Sequence, residues 1–319
     1  MRKSFFVISL DFELHWGRFD KVSARGQELY YARAREAVPR LLDLFSEFDL
    51  SVTWATVGML LAENREEWRT YHPSIQPLFN SETYSAYRWY ERNTTPDSLL
   101  FAPDLAKRIA SYPKQEIGCH THSHFYTREA GACNESFRAD LQAAKCIVTE
   151  KLGLKMRSLV FPRNQYSPET IRIAGEEGFD FLRTNPEDWY WRDPHDNQLA
   201  KRLFRTGDSM VPLGRKTSYP LDKMRFDSGP LKVPASRFFR PFQPKVPWIN
   251  HMKLQRIMQE MSLAAHLGEV YHLWWHPHNH GHYLEETLVE VRKVLNHYLQ
   301  LHEQYGMESM SMNGFGALV

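Results

Sequence analysis

The chain has 319 residues, of which 42% are hydrophobic, so it can bury a full core in one large α/β domain or in two smaller ones. Its 40 lysines and arginines nearly balance 38 acidic residues, and the net charge of +2 argues against a protein that coats nucleic acid. Its three cysteines form no CxxC pair, which gives no indication of a thiolate zinc site and is typical of reduced cytosolic thiols.

The N-terminal segment does not have the pattern of a signal peptide. Asp11 and Glu13 interrupt its apolar run before the core of a signal peptide could form. The sequence also contains no stretch of about 18 apolar residues that could span a bilayer. We therefore expect a cytoplasmic protein that is at most peripheral to the inner face of the membrane.

Short apolar runs alternate with helical patterns along the chain. In chain order, the sequence predicts a strand at 5–10, a helix at 28–48, strands at 51–57 and 116–119, a helix at 135–151, and strands at 158–161, 180–184 and 270–275. This alternation is typical of parallel βαβ units, in which functional groups gather where strands end.

Two long segments interrupt this alternation. Residues 65–100 are rich in Tyr and Trp, and residues 186–250 are rich in proline. Both are too long for ordinary connections, so we expect them to be insertions that bind substrate. Within the second segment, residues 201–245 carry eleven Lys or Arg against three acidic residues.

The run HTHSH follows the predicted strand at 116–119. On a helical turn, His120 and His124 would project from one face and could share a metal ion, while His122 would point elsewhere. Asp11 and Glu13 follow the first strand, where alternation sends both side chains to one side. Two histidines and one carboxylate leave coordination positions open, as a catalytic ion requires. The alternatives are a histidine cluster without metal and carboxylates that cap a loop.

A third group of candidate residues follows the last predicted strand, in the run LWWHPHN. His276 could protonate a leaving amine, because imidazole titrates near neutral pH. A His-rich tract is also compatible with a surface site that scavenges metal.

These motifs resemble those of the NodB-like polysaccharide deacetylases, carbohydrate esterase family 4. Ser9-Leu10-Asp11-Phe12-Glu13 is similar to the first motif of the family, and His120-Thr121-His122-Ser123-His124 matches the second. The resemblance implies a distorted (β/α)7 barrel with long inserted loops, as a single catalytic domain over residues 1–319. It also implies that Asp11 is the catalytic base and that Glu13, His120 and His124 hold the metal.

The later motifs of the family are matched less closely. Residues 161–166, FPRNQY, approximate the third motif, which implies that Arg163 steadies the base and that a backbone N–H near Tyr166 stabilises an oxyanion. Asp188 and Trp189 resemble the fourth motif, which walls the substrate pocket. His276 fits the histidine of the fifth motif as the catalytic acid, with Trp275 beside it as a candidate substrate contact.

The activity implied by the resemblance is metal-dependent removal of an N-acetyl group from an amino sugar. The expected ion is Zn²⁺, with Co²⁺, Mn²⁺ or Ni²⁺ as substitutes. The basic insertion suggests that the substrate is a phosphate- or lipid-linked sugar of surface-polysaccharide synthesis. Arg237 and Arg240 would bind its phosphate. The alternative is that the insertion forms a solvated basic surface. Other readings are a deformylase or another amidase, and a non-catalytic barrel that binds glycans through the Tyr and Trp of residues 71–100. The sequence makes no prediction about the oligomeric state.

Overall fold

The architecture is a curled, mainly parallel sheet surrounded by helices. The computed structural model describes residues 3–186, 188–191, 199–208, 216–224 and 229–318. The strands in these residues are β1 (Phe5–Phe12), β2 (Val52–Thr56), β3 (Gln115–Cys119), β4 (Ser158–Val160), β5 (Phe181–Thr184), β6 (Tyr219–Pro220), β7 (Leu231–Pro234), β8 (Arg237–Phe238), β9 (Glu269–Trp275) and β10 (Glu308–Met310).

The helices follow the strands as the alternation predicts. They are α1 (Glu28–Glu47), α2 (Arg65–Thr70), α3 (Ala86–Arg92), α4 (Pro103–Ser111), α5 (Asn134–Leu152), α6 (Pro168–Glu176), α7 (Leu199–Gly207), α8 (Pro247–Leu267) and α9 (Leu284–Tyr305). α5 and α9 both end at a glycine in the left-handed conformation, with φ of 67° at Gly153 and 69° at Gly306, where a side chain would be strained. The predicted strands and the two predicted helices are all present, with shifts of at most a few residues.

The sheet closes on itself through the segment that joins β7 to β8. The strand order is β9-β1-β2-β3-β4-β5-β7, and neighbours along this path are parallel. β7 pairs with β5, and β8 pairs with β9 on the other side. Between them, the Ser236 N–H donates to the His272 carbonyl at 2.8 Å. The predicted distorted (β/α)7 barrel is therefore confirmed.

Alternation along β1 divides the barrel interior into an apolar end and a polar end. Phe5 and Val7 join a cluster that includes Val160 of β4 and Val233 of β7, so they point into the barrel. Ser9 and Asp11 lie on the same face further along, where parallel strands end. Met312 and Phe315 contribute to the apolar cluster from the C-terminal segment. The polar end is therefore the part of the barrel interior whose β1 side chains could take part in catalysis.

The aromatic insertion at 65–100 packs against the barrel. Trp68, Tyr87 and Tyr90 are buried in the main core, and Trp16 stacks on Trp68 with ring centroids 6.4 Å apart. These aromatic side chains therefore contribute to folding, and only Trp89 among the tryptophans of this insertion is half-buried. The second insertion, at 186–250, lies partly outside the described residues. Among the described helices, none is both long and apolar enough to cross a bilayer.

Candidate metal centre and active site

Glu13, His120 and His124 converge at the polar end of the barrel. The Glu13 Oε2 atom lies 3.2 Å from Nε2 of His120 and 3.2 Å from Nε2 of His124. All three side chains are buried, and Glu13 Oε2 accepts no hydrogen bond in the described structure. One ligand atom from each residue lies within 4.8 Å of the others. This spacing and donor set suit a divalent ion such as Zn²⁺.

The protonation of the two imidazoles gives a separate reason to expect a cation. His120 Nδ1 lies 2.8 Å from the Val160 carbonyl, which can only accept, so this nitrogen carries the proton. His124 Nδ1 lies 3.2 Å from the Tyr126 hydroxyl, whose own hydrogen is donated to Asp20 at 3.1 Å. Burial lowers the pKa of His124, although Glu13 opposes this shift. With Nδ1 engaged in this way, each ring turns its Nε2 atom towards Glu13 Oε2, an arrangement that suits a shared cation.

The histidine run adopts a bend and not the predicted helical turn. Thr121 and His124 have positive φ angles of 61° and 54°, so the backbone folds sharply between the two ligands. Asp140 of α5 holds this bend, because its carboxylate accepts from the His122 N–H at 2.6 Å and the Ser123 N–H at 3.1 Å. Burial raises the pKa of Asp140 to about 6, against the effect of these hydrogen bonds. His122 is fully buried, and its ring lies next to Gly58.

The Glu13 carboxylate is confined on its other side by Gly17 and two further histidines. A Cβ atom at Gly17 would lie 1.9 Å from Glu13 Oε1, so only glycine leaves room for this carboxylate. His276 Nε2 and His278 Nδ1 lie 3.6 and 3.7 Å from Glu13 Oε1. Burial raises the pKa of Glu13, but the surrounding histidines, led by His276, outweigh it and hold the pKa well below its usual range.

Asp11 lies beside this cluster and forms a two-point ion pair with Arg183 of β5. Its carboxylate oxygens lie 2.6 and 2.7 Å from the Arg183 guanidinium, and Asp11 Oδ2 is 3.6 Å from His276 Nε2. Burial raises the pKa of Asp11, but Arg183 and the nearby imidazoles outweigh it, so the pKa is lowered. The site therefore keeps a charged carboxylate next to a histidine, as a general base and a general acid require.

A polar layer fixes the position of Arg183 below Asp11. The Arg183 guanidinium also donates to Ser9 Oγ at 3.0 Å, and Ser9 Oγ lies 2.8 Å from His272 Nε2. The Trp274 ring covers the guanidinium, with its centroid 4.3 Å from Arg183 Cζ. With this layer around it, Arg183 holds Asp11 in one orientation.

Arg163 lies elsewhere. It forms an ion pair with Asp20 and stacks on the Tyr126 ring at 4.0 Å. The described contacts therefore place Arg183, and not Arg163, against Asp11. Arg163 is connected to His124 through Asp20, which contacts Tyr126, which in turn contacts His124.

The residues predicted to contact substrate are dispersed. The Tyr166 hydroxyl accepts from the Asn185 N–H at 2.9 Å. Asp188 is buried and accepts from Tyr190 at 3.3 Å, whereas Trp189 is 49% exposed and packs edge-on against Phe204. Contacts of Asp188 and Trp189 with a substrate remain predictions.

Trp275 differs from its prediction. It is 1% exposed and packs against Phe45 and Phe239 in the core. The reason is its place on β9, where alternation turns it towards the helices while Trp274 faces Arg183. Trp275 therefore packs in the core on the helix side of β9, and not on the side of β9 where Trp274 covers Arg183.

Arg237 does not offer a free guanidinium to a phosphate. Its Nε and Nη2 donate to Glu260 at 2.6 Å each, and its Nη1 donates to the Asp208 carbonyl at 2.6 Å. The side chain is 6% exposed, so it neutralises buried acids, and the predicted phosphate contact is wrong for this residue. Arg240 is half-buried nearby, and both burial and the Arg237 charge lower its pKa.

Sequence reasoning missed three residues of this site. Arg183 could have been noticed as an arginine within an otherwise apolar strand end, since such a residue needs a buried partner. His278 lies two residues after His276, in a run where the sequence analysis gave a role only to His276. Asp20 carries no local signal, because its partners Tyr126 and Arg163 are more than 100 residues away.

Comparisons with known proteins agree with the fold and identify a family for slightly more than half of the chain. The family model described as polysaccharide deacetylase matches residues 16–182, slightly more than half of the chain. This match begins after Asp11 and Glu13, so their assignment rests on the geometry above. No curated protein matches the chain in sequence.

Several solved structures share the fold at low sequence identity. A putative polysaccharide deacetylase from Mycobacterium smegmatis has a TM-score of 0.59 and 15% identity, covering 99% of this chain and 89% of its own. A probable polysaccharide deacetylase from Pseudomonas aeruginosa PAO1 has a TM-score of 0.55 and 13% identity, covering 95% and 86%. Puue allantoinase has a TM-score of 0.57 and 13% identity, covering 98% and 90%. At these identities the likenesses establish the fold alone.

Proposed function

The chain belongs to the polysaccharide deacetylase family, and from that premise we propose that it is a metal-dependent hydrolase that removes the N-acetyl group from an amino sugar. The substrate would be a polysaccharide, an oligosaccharide or a sugar-phosphate precursor. The observation that carries the proposal is that the Glu13, His120 and His124 cluster lies next to Asp11 and His276. The pairing of β1 with β9 and β10 supports one catalytic domain.

Glu13, His120 and His124 would hold the ion, which we propose to be zinc. Nitrogen and carboxylate donors in a set of three suit zinc in catalytic sites. Such an ion supplies Lewis acidity to the amide carbonyl and lowers the pKa of a water molecule. The Nδ1 contacts of His120 with Val160 and of His124 with Tyr126 fix both rings for this role.

Asp11 is the proposed general base. Its lowered pKa keeps it ionised at neutral pH, and Arg183 fixes its two oxygens. It accepts a proton as water oxygen forms a bond to the acetyl carbon. The strong ion pair lowers the basicity of Asp11, but it also orients the carboxylate, and proton transfer depends on both.

His276 is the proposed general acid. Its Nε2 lies 3.6 Å from both Asp11 and Glu13, and the side chain is 23% exposed, so it reaches the site from the open end of the barrel. It gives a proton to the sugar nitrogen as the carbon–nitrogen bond breaks. Acetate and a free amino sugar are the products. A protein that only binds glycans would need neither Asp11 nor His276.

The test is release of acetate from N-acetylglucosamine oligomers by the full chain. Removing divalent ions with a chelator should abolish turnover, and adding Zn²⁺ should restore it. Asp11→Asn should lower kcat by about 100-fold or more while zinc remains bound, because a base contributes about 10²- to 10⁴-fold. The proposal fails if Asp11→Asn turns over at the wild-type rate with its metal in place.

A further inference from the structure

A cavity lies along the loop that follows the metal ligand Glu13. It has a volume of about 390 Å³, and its walls include Phe19, Asp20, Lys21, Arg25, Trp89 and Asn93. These residues come from the loop that follows Glu13 and from the end of the first insertion.

Asp20 and Tyr126 connect this cavity to the metal centre. The Asp20 carboxylate on its wall accepts from Tyr126 at 3.1 Å, and Tyr126 contacts the ligand His124 at 3.2 Å. Two successive side-chain contacts therefore link the wall of this cavity to a ligand of the metal centre.

The apolar wall of the cavity is rigid and aromatic. The half-buried Trp89 packs against Phe19 with ring centroids 5.7 Å apart and against His15 at 5.2 Å. Asn93 fixes its own side chain by donating to the Trp89 carbonyl at 2.6 Å. A fixed aromatic surface with polar groups at its rim suits a ring that is apolar on one face and polar at its edge.

The rim of this cavity carries positive charge that the protein does not neutralise. Lys21 and Arg25 are exposed, and neither side chain forms an ion pair or hydrogen bond with any described residue. Asp20, the acidic residue of the cavity, is engaged by Arg163 and Tyr126.

We propose that this cavity holds a negatively charged neighbour of the amino sugar that is deacetylated, either the carboxylate of a uronic acid or a phosphate ester. Trp89 packs against that neighbour, and Lys21 and Arg25 contact its anionic group. The inference rests on the proposed function and adds a substrate class to it. In this proposal the residues that bind negative charge lie in the loop after Glu13, whereas Arg237 is buried and paired with Glu260.

The experiment compares three probes with the zinc-loaded full chain. They are N,N′-diacetylchitobiose, a disaccharide of N-acetylglucosamine with glucuronic acid, and N-acetylglucosamine 1-phosphate. We expect at least one anionic probe to have a kcat/KM about tenfold above that of the neutral disaccharide, as two partly exposed charge contacts would give. The advantage should arise in KM and should shrink at high salt, because salt screens exposed charges.

The double variant Lys21→Gln, Arg25→Gln should lose the advantage of the anionic probes. Lys155→Gln, which removes an exposed lysine from another loop, is the matched control and should retain it. An advantage for only one anionic probe identifies the carboxylate or the phosphate as the group that is bound. An equal rate on all three probes, or an advantage that survives the double variant, would overturn the proposal.

Failure of the proposed function gives a different result. In that case none of the three probes releases acetate. The proposed binding cavity is then tested by calorimetric titration of the same probes. If no binding depends on Lys21 and Arg25, the proposal for the cavity is wrong.

Discussion

At the scale of single residues, the site depends on which arginine holds Asp11. The guanidinium of Arg183 meets both carboxylate oxygens, is covered by Trp274 and is 2% exposed. A buried two-point pair of this kind fixes orientation as well as charge, and lysine cannot reproduce it. Arg163, in contrast, reaches Asp20, so its effect on Asp11 is indirect.

The two arginines should therefore differ in their effect on turnover. Arg183→Lys should lower kcat on N-acetylglucosamine oligomers by about 100-fold, since it misplaces the base. Arg183 lowers the pKa of Asp11, and the base acts when it is ionised. Loss of the two-point pair should thus move the acidic limb of the pH–rate profile to higher pH, by about one pH unit or more.

Arg163→Lys is the matched variant. It keeps a charge near Asp20, so we expect kcat to fall by less than about tenfold and the acidic limb to stay in place. Measured zinc content should be unchanged in Arg183→Lys, which separates a lost base from a lost metal. The assignment is wrong if Arg163→Lys is the more damaging of the two substitutions.

At the scale of elements, α5 controls the loop that carries both histidine ligands. Asp140 is fully buried in this helix, and its carboxylate accepts from two backbone N–H groups of the loop and from the Ser123 hydroxyl at 2.5 Å. Because Thr121 and His124 have left-handed backbone angles, the bend needs such support to persist.

Asp140→Asn should loosen this bend. An amide nitrogen cannot accept from a backbone N–H, so we expect the free energy of unfolding to fall by about 3 kcal/mol. Zinc affinity should fall by about 10- to 100-fold, as it does when groups that orient ligands are removed. Chemical denaturation of the chelated protein and competition with a zinc indicator would measure the two effects.

Glu135→Gln is the control for this prediction, because it neutralises an exposed acid in the first turn of the same helix. We expect it to cost about 0.5 kcal/mol through the helix dipole and to leave zinc affinity unchanged. Wild-type zinc affinity in Asp140→Asn would show that the histidine loop does not depend on α5.

The elements also show which parts of the site the sequence could predict. Apolar runs and helical periods are local, so β1, β3 and α5 were found close to their observed bounds. Strand ends share one edge of a parallel sheet, which predicted that Asp11 and Glu13 lie near His120 and His124. The choice of Glu13 as the ligand came from the family resemblance. The conformation between the histidines was wrong, because an i, i+4 spacing fits both a helical turn and a bend held by a distant aspartate.

Pairings between remote segments could not be predicted in this way. Arg183 meets Asp11 across the barrel, 172 residues away, and Arg237 meets Glu260 on another element. A count of basic residues reports charge but not its partners, so it cannot distinguish a phosphate site from a solvated surface or, at Arg237, from a buried ion pair. Trp275 was misplaced for a related reason, since neighbouring residues on a strand face opposite sides and a motif does not say which side is the core.

At the scale of the whole molecule, several buried histidines set a limit on stability in acid. His122, His272, His278 and His280 are all buried, and burial lowers the pKa of each to about 3. Each is neutral in the native state near pH 7. The unfolded chain, with an ordinary imidazole pKa near 6.5, binds protons at a higher pH than the native state does.

His280 gives the clearest test of this effect. Its two ring nitrogens have no hydrogen-bond partner in the described structure, and after burial the nearby Lys253 is the next cause of its lowered pKa. The contribution of His280 to stability is complete above pH 6.5 and is lost as the pH falls from there towards 3. Between pH 7.5 and pH 5 the loss is about 2 kcal/mol for one such group.

His280→Leu should remove this part of the pH dependence. The free energy of unfolding, measured in urea with chelator present, should fall by about 2 kcal/mol less in the variant than in the wild type between pH 7.5 and pH 5. His251→Leu is the control, because this histidine is exposed on α8 and solvent reaches its ring before and after unfolding. A wild-type pH dependence in His280→Leu would mean that the native state accommodates a proton at this buried ring.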